Sequence, residues 1–239
     1  MFTLAVALVA LVAGAVASVV GFGIGSMLTP LASVKLGVQT AVVVVSVPHF
    51  AATVLRAWRL RRDVDRVVLV RFGIASAAGG LAGALLHDRL RSPSLAIVFG
   101  CLLVFAGLMG VTGLAKRMRF GRKTAFVAGV LSGGFGGLVG NQGGIRSAAL
   151  LGFDIRREAF VATATAVGVI VDLARMPVYL ATSGGAIARE WKLVAIATAA
   201  VLVGTLAGER VLRRTPERVF RFVVSAVVLA LGVVMLVRG

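Results

Sequence analysis

Apolar stretches about as long as a bilayer is thick recur along this 239-residue chain. Eight can be read, near residues 4–20, 39–57, 67–86, 94–114, 123–140, 159–181, 191–210 and 217–237. At about 1.5 Å per residue, each is near the length a helix needs to cross roughly 30 Å of hydrocarbon. Backbone groups in lipid must find partners inside their own segment, which favours helices. The expected class is therefore an all-α polytopic membrane protein. Charged residues make up 15% of the chain, against about 25% in soluble proteins, too few to cover a soluble surface. The low polarity excludes a disordered chain, and the single cysteine, Cys101, excludes a disulfide scaffold. The first stretch opens Met1-Phe2-Thr3 with no basic residue. It is expected to be a retained span, although Ala15-Val16-Ala17 has the small-residue pattern of a signal cleavage site.

Two apolar segments are too rich in glycine to be plain spans. Residues 21–38 contain Gly21-Phe22-Gly23-Ile24-Gly25-Ser26 followed by Pro30, and residues 133–153 contain Gly133 to Gly140 followed by Asn141-Gln142-Gly143-Gly144-Ile145-Arg146-Ser147. Together they hold 12 of the 30 glycines, a clear concentration. They also fall at matching places. With an offset of 115, Gly14, Gly21, Gly25, Leu36 and Gly37 align with Gly129, Gly136, Gly140, Leu151 and Gly152. Further on, Leu81-Ala82-Gly83 parallels Leu206-Ala207-Gly208, and Pro93 parallels Pro216. The chain reads as two repeats, 1–115 and 124–239, joined by a basic cytoplasmic linker at 116–123.

The net charge is +17, which in a soluble protein would suggest nucleic acid. Here the basic residues sit in short clusters between apolar stretches, so membrane lipids are the expected neighbours and no nucleic-acid partner is expected. If only the eight long stretches cross, 13 basic residues fall inside and 10 outside. If each glycine-rich segment also crosses, or pairs with the preceding helix as a re-entrant hairpin, the inside holds 17 and the outside 6. The second arrangement fits the positive-inside rule better. It gives each half an odd number of crossings, so the expected fold has two inverted-topology repeats, eight long apolar helices and two broken or re-entrant segments. Inverted repeats with interrupted helices at matching positions are a pattern of secondary transporters.

A broken helix frees backbone N–H and C=O groups, which lipid penalises unless protein, water or a ligand meets them. A restarting helix aims its N–H groups and a partial positive charge into the membrane, a ready anion site. The candidate substrate-binding residues are Gly23, Gly25 and Ser26 in one half and Gly140, Asn141, Gln142, Arg146 and Ser147 in the other. The alternative is that the glycines only permit close helix packing, which suits Gly79-Gly80 and Gly204 but not the polar Asn141-Gln142 pair. Arg146 is either an anion clamp or an interfacial arginine snorkelling to water. Asp172 lies mid-stretch, with Arg175 three residues on and on the same helical face. The two are a structural ion pair, a proton relay or a substrate-positioning pair. His49 either carries a coupling proton or bonds across to another helix. Pro48 and Pro177 are expected to kink their helices. Tyr179 lines the cavity or marks the interface, and Asp63 and Asp65 are expected to pair with the arginines around them.

Other chemistries lack their residues. Two histidines, one cysteine and scattered methionines do not make a metal pathway, and no metal or cofactor is expected. There is no GxxxxGK[ST] phosphate loop. Leu131-Ser132-Gly133 invites an intramembrane serine protease, but neither His49 nor His87 has an evident reason to meet Ser132.

The chain resembles the sulfite exporter TauE/SafE family of membrane transporters. In the first half the resemblance rests on Gly21-Phe22-Gly23-Ile24-Gly25 with Pro30, Trp58, the basic run with Val64-Asp65, and Gly80-Leu81-Ala82-Gly83. In the second it rests on Gly133 to Gly140 with Asn141 to Ser147. The family's usual break is a denser glycine run followed by proline in both halves. Here the second half has Asn141-Gln142 and no proline after it, as in a divergent branch. The resemblance implies a non-enzymatic transporter with duplicated halves, moving sulfite, thiosulfate, sulfonates or related small anions. A bacterial cytoplasmic (inner) membrane and a homo-oligomer are further expectations. The rival readings are a non-transporting membrane subunit docking through 56–66 or 116–123, and an anion channel.

Overall fold

The computed structural model describes residues 1–90, 92–114, 122–140 and 157–212 continuously. It also describes Gly143, Arg146, Leu150 and ten positions between Phe222 and Val237. The linker expected at 116–123 lies mostly outside the described residues. Among the described residues the chain is helical, with no strand. The helices are α1 (Phe2–Val20), α2 (Ile24–Leu36), α3 (Val38–Leu60), α4 (Arg66–His87), α5 (Ser92–Val111), α6 (Arg122–Val139), α7 (Arg157–Arg189) and α8 (Trp191–Leu212).

Glycine sets the helix ends that matter. α1 stops where Gly21 turns left-handed at φ 83°, its N–H bonded to Ala17 O at 3.0 Å. α6 is followed by Gly140 at φ 73°, its N–H bonded to Gly136 O at 3.1 Å. Both ends are αL caps that a Cβ would strain. Gly37 alone, at φ 73°, separates α2 from α3. Asp65 begins α4 by accepting a hydrogen bond from Val68 N at 2.9 Å. Its carboxylate is thus a helix cap, accepting from an N–H that the start of a helix leaves free. Pro30, Pro48 and Pro177 all lie inside helices. The non-helical residue in α7 is Ser183, just before Gly184-Gly185.

Five helical segments are long and apolar enough to cross a membrane: Val38–Leu60, Arg66–His87, Pro93–Val111, Glu158–Arg189 and Trp191–Gly208. Phe2–Ser18, Ile24–Leu36 and Phe126–Val139 are shorter apolar helices. The last expected stretch, 217–237, lies largely outside the described residues. Those of its residues that are described pack on α5, with Gly100 against Leu236 and Gly110 against Ser225. Large apolar side chains face outward along α4, among them Val67, Val70, Ile74 and Leu85, while Arg56, Arg146, Asp172 and Arg175 are buried. This is the distribution of a membrane protein with a polar interior.

Close backbone approach joins the helices in two pairs. α1 packs on α8, with Gly14 against Val201 O, Gly204 against Leu11 O and Gly208 against Ala15. α6 packs on α4, with Gly133 against Ser76 O, Gly79 against Val130 O and Gly83 against Gly134 O. A Cβ at any of these glycines would overlap backbone. Small residues at such contacts let membrane helices gain dispersion energy where no hydrophobic drive exists between them. α3 and α7 pack against each other between the two pairs, and α3 also meets α8 while α7 meets α4.

Candidate functional site

The polar interior is built mainly on α3 and α7. His49, Thr53 and Arg56 follow at i, i+4 and i+7, so they share one face of α3, and all three are buried. Gly168, Asp172, Arg175 and Tyr179 share one face of α7 by the same spacing. Where the two faces meet, His49 Nδ1 donates to Asp172 Oδ2 at 2.8 Å. The other carboxylate oxygen, Oδ1, accepts from Arg175 Nε at 2.9 Å and Nη2 at 2.8 Å. Asp172 is fully buried and Arg175 is 1% exposed. A buried carboxylate is tolerable only when its oxygens are matched in this way. His49 does bond across to another helix, and its partner is the intramembrane acid.

Arg175 reaches further. Its Nη1 donates to Gly136 O at 2.6 Å. That carbonyl is the one bonded by the N–H of the left-handed Gly140. Tyr179 is fully buried, not interfacial, and donates its hydroxyl to Gly137 O. His87 packs on the Tyr179 ring and faces Leu138 O at 2.7 Å and Gln39 O at 3.1 Å. Tyr179 and His87 thus meet carbonyls at the broken end of α6, and Arg175 adds a second donor to one that Gly140 already bonds.

A matching arrangement stands at the end of α1. Arg56 donates Nη1 to Ala17 O, the carbonyl bonded by the N–H of left-handed Gly21. Its Nη2 lies 3.4 Å from Thr53 Oγ1. Ala17 and Gly136, Gly21 and Gly140, Thr53 and Asp172, and Arg56 and Arg175 are each 119 residues apart. This differs from the offset of 115 given by glycine matches by about one helical turn.

The two breaks touch. Gly25 lies against the Gly140 carbonyl, and Gly143 lies against Phe22. A side-chain carbon at Gly140 would sit 3.7 Å from Arg175 Nη1 and 3.8 Å from Thr29 Oγ1. Gly23, at φ 132°, caps the start of α2, and residues Ile24 to Pro30 of that helix are all buried, Ser26 included. Arg146 is 2% exposed, so it does not snorkel to the surface. Its Nε and Nη1 have no hydrogen-bond partner among the described residues. Its Nη1 lies 3.0 Å from where a Cβ of Gly168 would stand, with Thr53 Cγ2 at 3.1 Å from the same point. The sequence-predicted Asn141, Gln142 and Ser147 lie outside the described residues.

Among the described residues three guanidiniums, those of Arg56, Arg146 and Arg175, are thus buried with one carboxylate, Asp172, which bonds Arg175. Sequence reading missed Arg56 as an interior residue because it opens the basic run 56–66 and was counted with the loop. The helix instead continues to Leu60, and the i, i+4, i+7 spacing from His49 was the available signal. Among the described residues no cluster of metal-ligating side chains forms.

Apolar helices around a charged interior with interrupted segments define an integral membrane protein. A family model described as sulfite exporter TauE/SafE matches residues 6–235, nearly the whole chain. The chain belongs to that family, one of membrane transporters that export sulfite and related anions. No curated protein and no solved structure matches it.

Proposed function

We propose that this protein is a secondary transporter that moves a small sulfur-containing or carboxylate anion by alternating access, coupled to an ion or proton gradient. The observation that carries the reading is Arg146, buried to 98% with two N–H donors unpartnered among the described residues. An arginine placed so in a membrane interior is costly unless an anion meets it. Each of the two unpartnered nitrogens, Nε and Nη1, would give a charge-assisted hydrogen bond to an oxyanion. Gly23, Gly25, Ser26 and Gly140 would bring backbone donors to the same anion, with Asn141, Gln142 and Ser147 completing the second half's share. The His49–Asp172–Arg175 chain would hold or pass the coupling proton.

Two inverted repeats would supply the motion. The constellations 119 residues apart, and the exchange of contacts between α1–α8 and α6–α4, support a duplicated origin for residues 1–115 and 124–239. Removing Arg56 from the inner charge count still leaves 16 basic residues against 6, which supports opposite orientations of the halves in a bacterial inner membrane. The test is anion flux in proteoliposomes. Arg146→Ala is expected to abolish saturable, gradient-coupled uptake while the protein still inserts. Full flux in that variant removes Arg146 from the mechanism, and non-saturating flux in the wild type indicates a channel.

A further inference from the structure

Arg56 and Arg175 hold the same position at their respective breaks, yet only one has a counter-charge. Arg175 is matched by Asp172 at 2.8–2.9 Å. At the place of Asp172, 119 residues earlier, stands neutral Thr53. Arg56 is 5% exposed, and its Nε has no hydrogen-bond partner among the described residues. Arg56 Nη2 lies 3.4 Å from Thr53 Oγ1, and Arg146 Nη1 and Thr53 Cγ2 stand 3.0 and 3.1 Å from the point a Cβ of Gly168 would occupy. Two like charges, both with unused donors, therefore flank Thr53 at the junction of α3 and α7. Like charges repel strongly in such a medium, and a shared anion removes both the repulsion and the unsatisfied donors.

We infer that Arg56 is the first half's anion ligand, and that it and Arg146 hold a doubly charged oxyanion between the two halves. The inference rests on the anion-transport reading and sharpens it. Asp172 cancels Arg175, so the excess over the four groups is two positive charges. A dianion balances that excess, whereas a monoanion leaves one buried guanidinium uncompensated. Arg56 also keeps Ala17 O, so the anion is tied through one side chain to the broken end of α1.

The test is isothermal titration of the purified full-length protein at pH 8. Sulfite, sulfate and thiosulfate are compared with methanesulfonate and acetate. The wild type is expected to bind at least one dianion more tightly than either monoanion. Arg56→Gln is expected to weaken that dianion by about tenfold or more, the effect of losing a charge-assisted hydrogen bond. Arg56→Lys is expected to fall between the two, which a loss of folding would not produce. Thr53→Asp gives Arg56 the carboxylate that Arg175 already has, and is expected to abolish the preference for dianions while monoanions still bind. Dianion binding that is lost in Arg146→Gln but unchanged in Arg56→Gln and Thr53→Asp overturns the role of Arg56 and leaves the anion site standing. A wild type that binds monoanions more tightly than every dianion overturns the charge argument alone. A wild type that binds none of the five overturns both readings.

Discussion

At the end of α1, Arg56 donates to the Ala17 carbonyl, four residues ahead of Gly21. At the end of α6, Arg175 donates to the Gly136 carbonyl, four residues ahead of Gly140. The backbone problem is the same in both places. A left-handed glycine ends each helix with its N–H on a carbonyl of the last turn, and a guanidinium from a neighbouring helix adds a second donor to that same carbonyl. The electrical settings differ. Arg175 belongs to a closed network with Asp172 and His49, whereas Arg56 has Thr53 and an unpartnered Nε among the described residues. One cap is internally neutralised and the other leaves its charge available to a ligand. Equal geometry with unequal charge lets one motif serve as scaffold in one half and as binding group in the other.

The largest expected effect comes from breaking the neutralised cap. Asp172→Asn leaves the Arg175 guanidinium buried without its charge partner and takes from His49 its carboxylate acceptor. Breaking a buried pair from one side costs about 3–5 kcal/mol, and Asn keeps the shape, so a loss on the order of 3 kcal/mol is expected, with transport abolished. Thr53→Val at the other cap removes a neutral partner lying 3.4 Å from Arg56, and its cost should be near 1 kcal/mol. Thermal unfolding in detergent, read beside flux in proteoliposomes, gives both numbers. Equal losses in the two variants would mean that the caps are electrically alike.

Much of this was legible in the sequence, for physical reasons that differ by residue. The breaks at Gly21 and Gly140 were visible because glycine runs inside apolar stretches contradict a plain span. Asp172 with Arg175 was visible because helical spacing of three puts both on one face. The bond from His49 to Asp172 joins residues 123 apart, and no local rule gives the rotation of α3 against α7. Arg56 was hidden by its neighbours, since a count of basic residues carries no depth. The offset of 115 comes from glycine identities and the offset of 119 from contacts between side chain and backbone, which an identity count does not see. Thr53 and Asp172, 119 residues apart, are chemically unlike and contribute nothing to an identity count.

A smaller effect is expected at Gly168, where α7 is bare between Arg146 and Thr53. The residue 119 positions earlier is His49, so the two faces differ here as well. Gly168→Ala places a Cβ 3.0 Å from Arg146 Nη1 and 3.1 Å from Thr53 Cγ2, tighter than ordinary contact. Crowding costs about 1 kcal/mol or more, while replacing a mid-helix glycine by alanine returns about 1 kcal/mol. Stability should therefore stay near the wild type while the KM for the anion rises several-fold. An unchanged KM would place the anion away from Gly168.

The smallest effects compare the two caps at their glycines. Gly21 and Gly140 sit at φ 83° and 73°, so alanine at either incurs about 1–2 kcal/mol of left-handed strain. Space does not separate them, because the nearest contacts of an added Cβ are ordinary, at 3.9 Å for Gly21 and 3.6 Å for Gly140. What separates them is the identity of the neighbours. Among the described residues the Cβ at position 21 meets Val161 alone, whereas at position 140 it lies beside Arg175 Nη1 and Thr29 Oγ1. Gly21→Ala and Gly140→Ala should then lose similar thermal stability, with Gly140→Ala losing more flux because its strained backbone borders the network that holds Asp172. If the two lose flux equally, the breaks act as equivalent hinges. The charge difference between Arg56 and Arg175 would then bear on binding alone, and not on the movement that follows it.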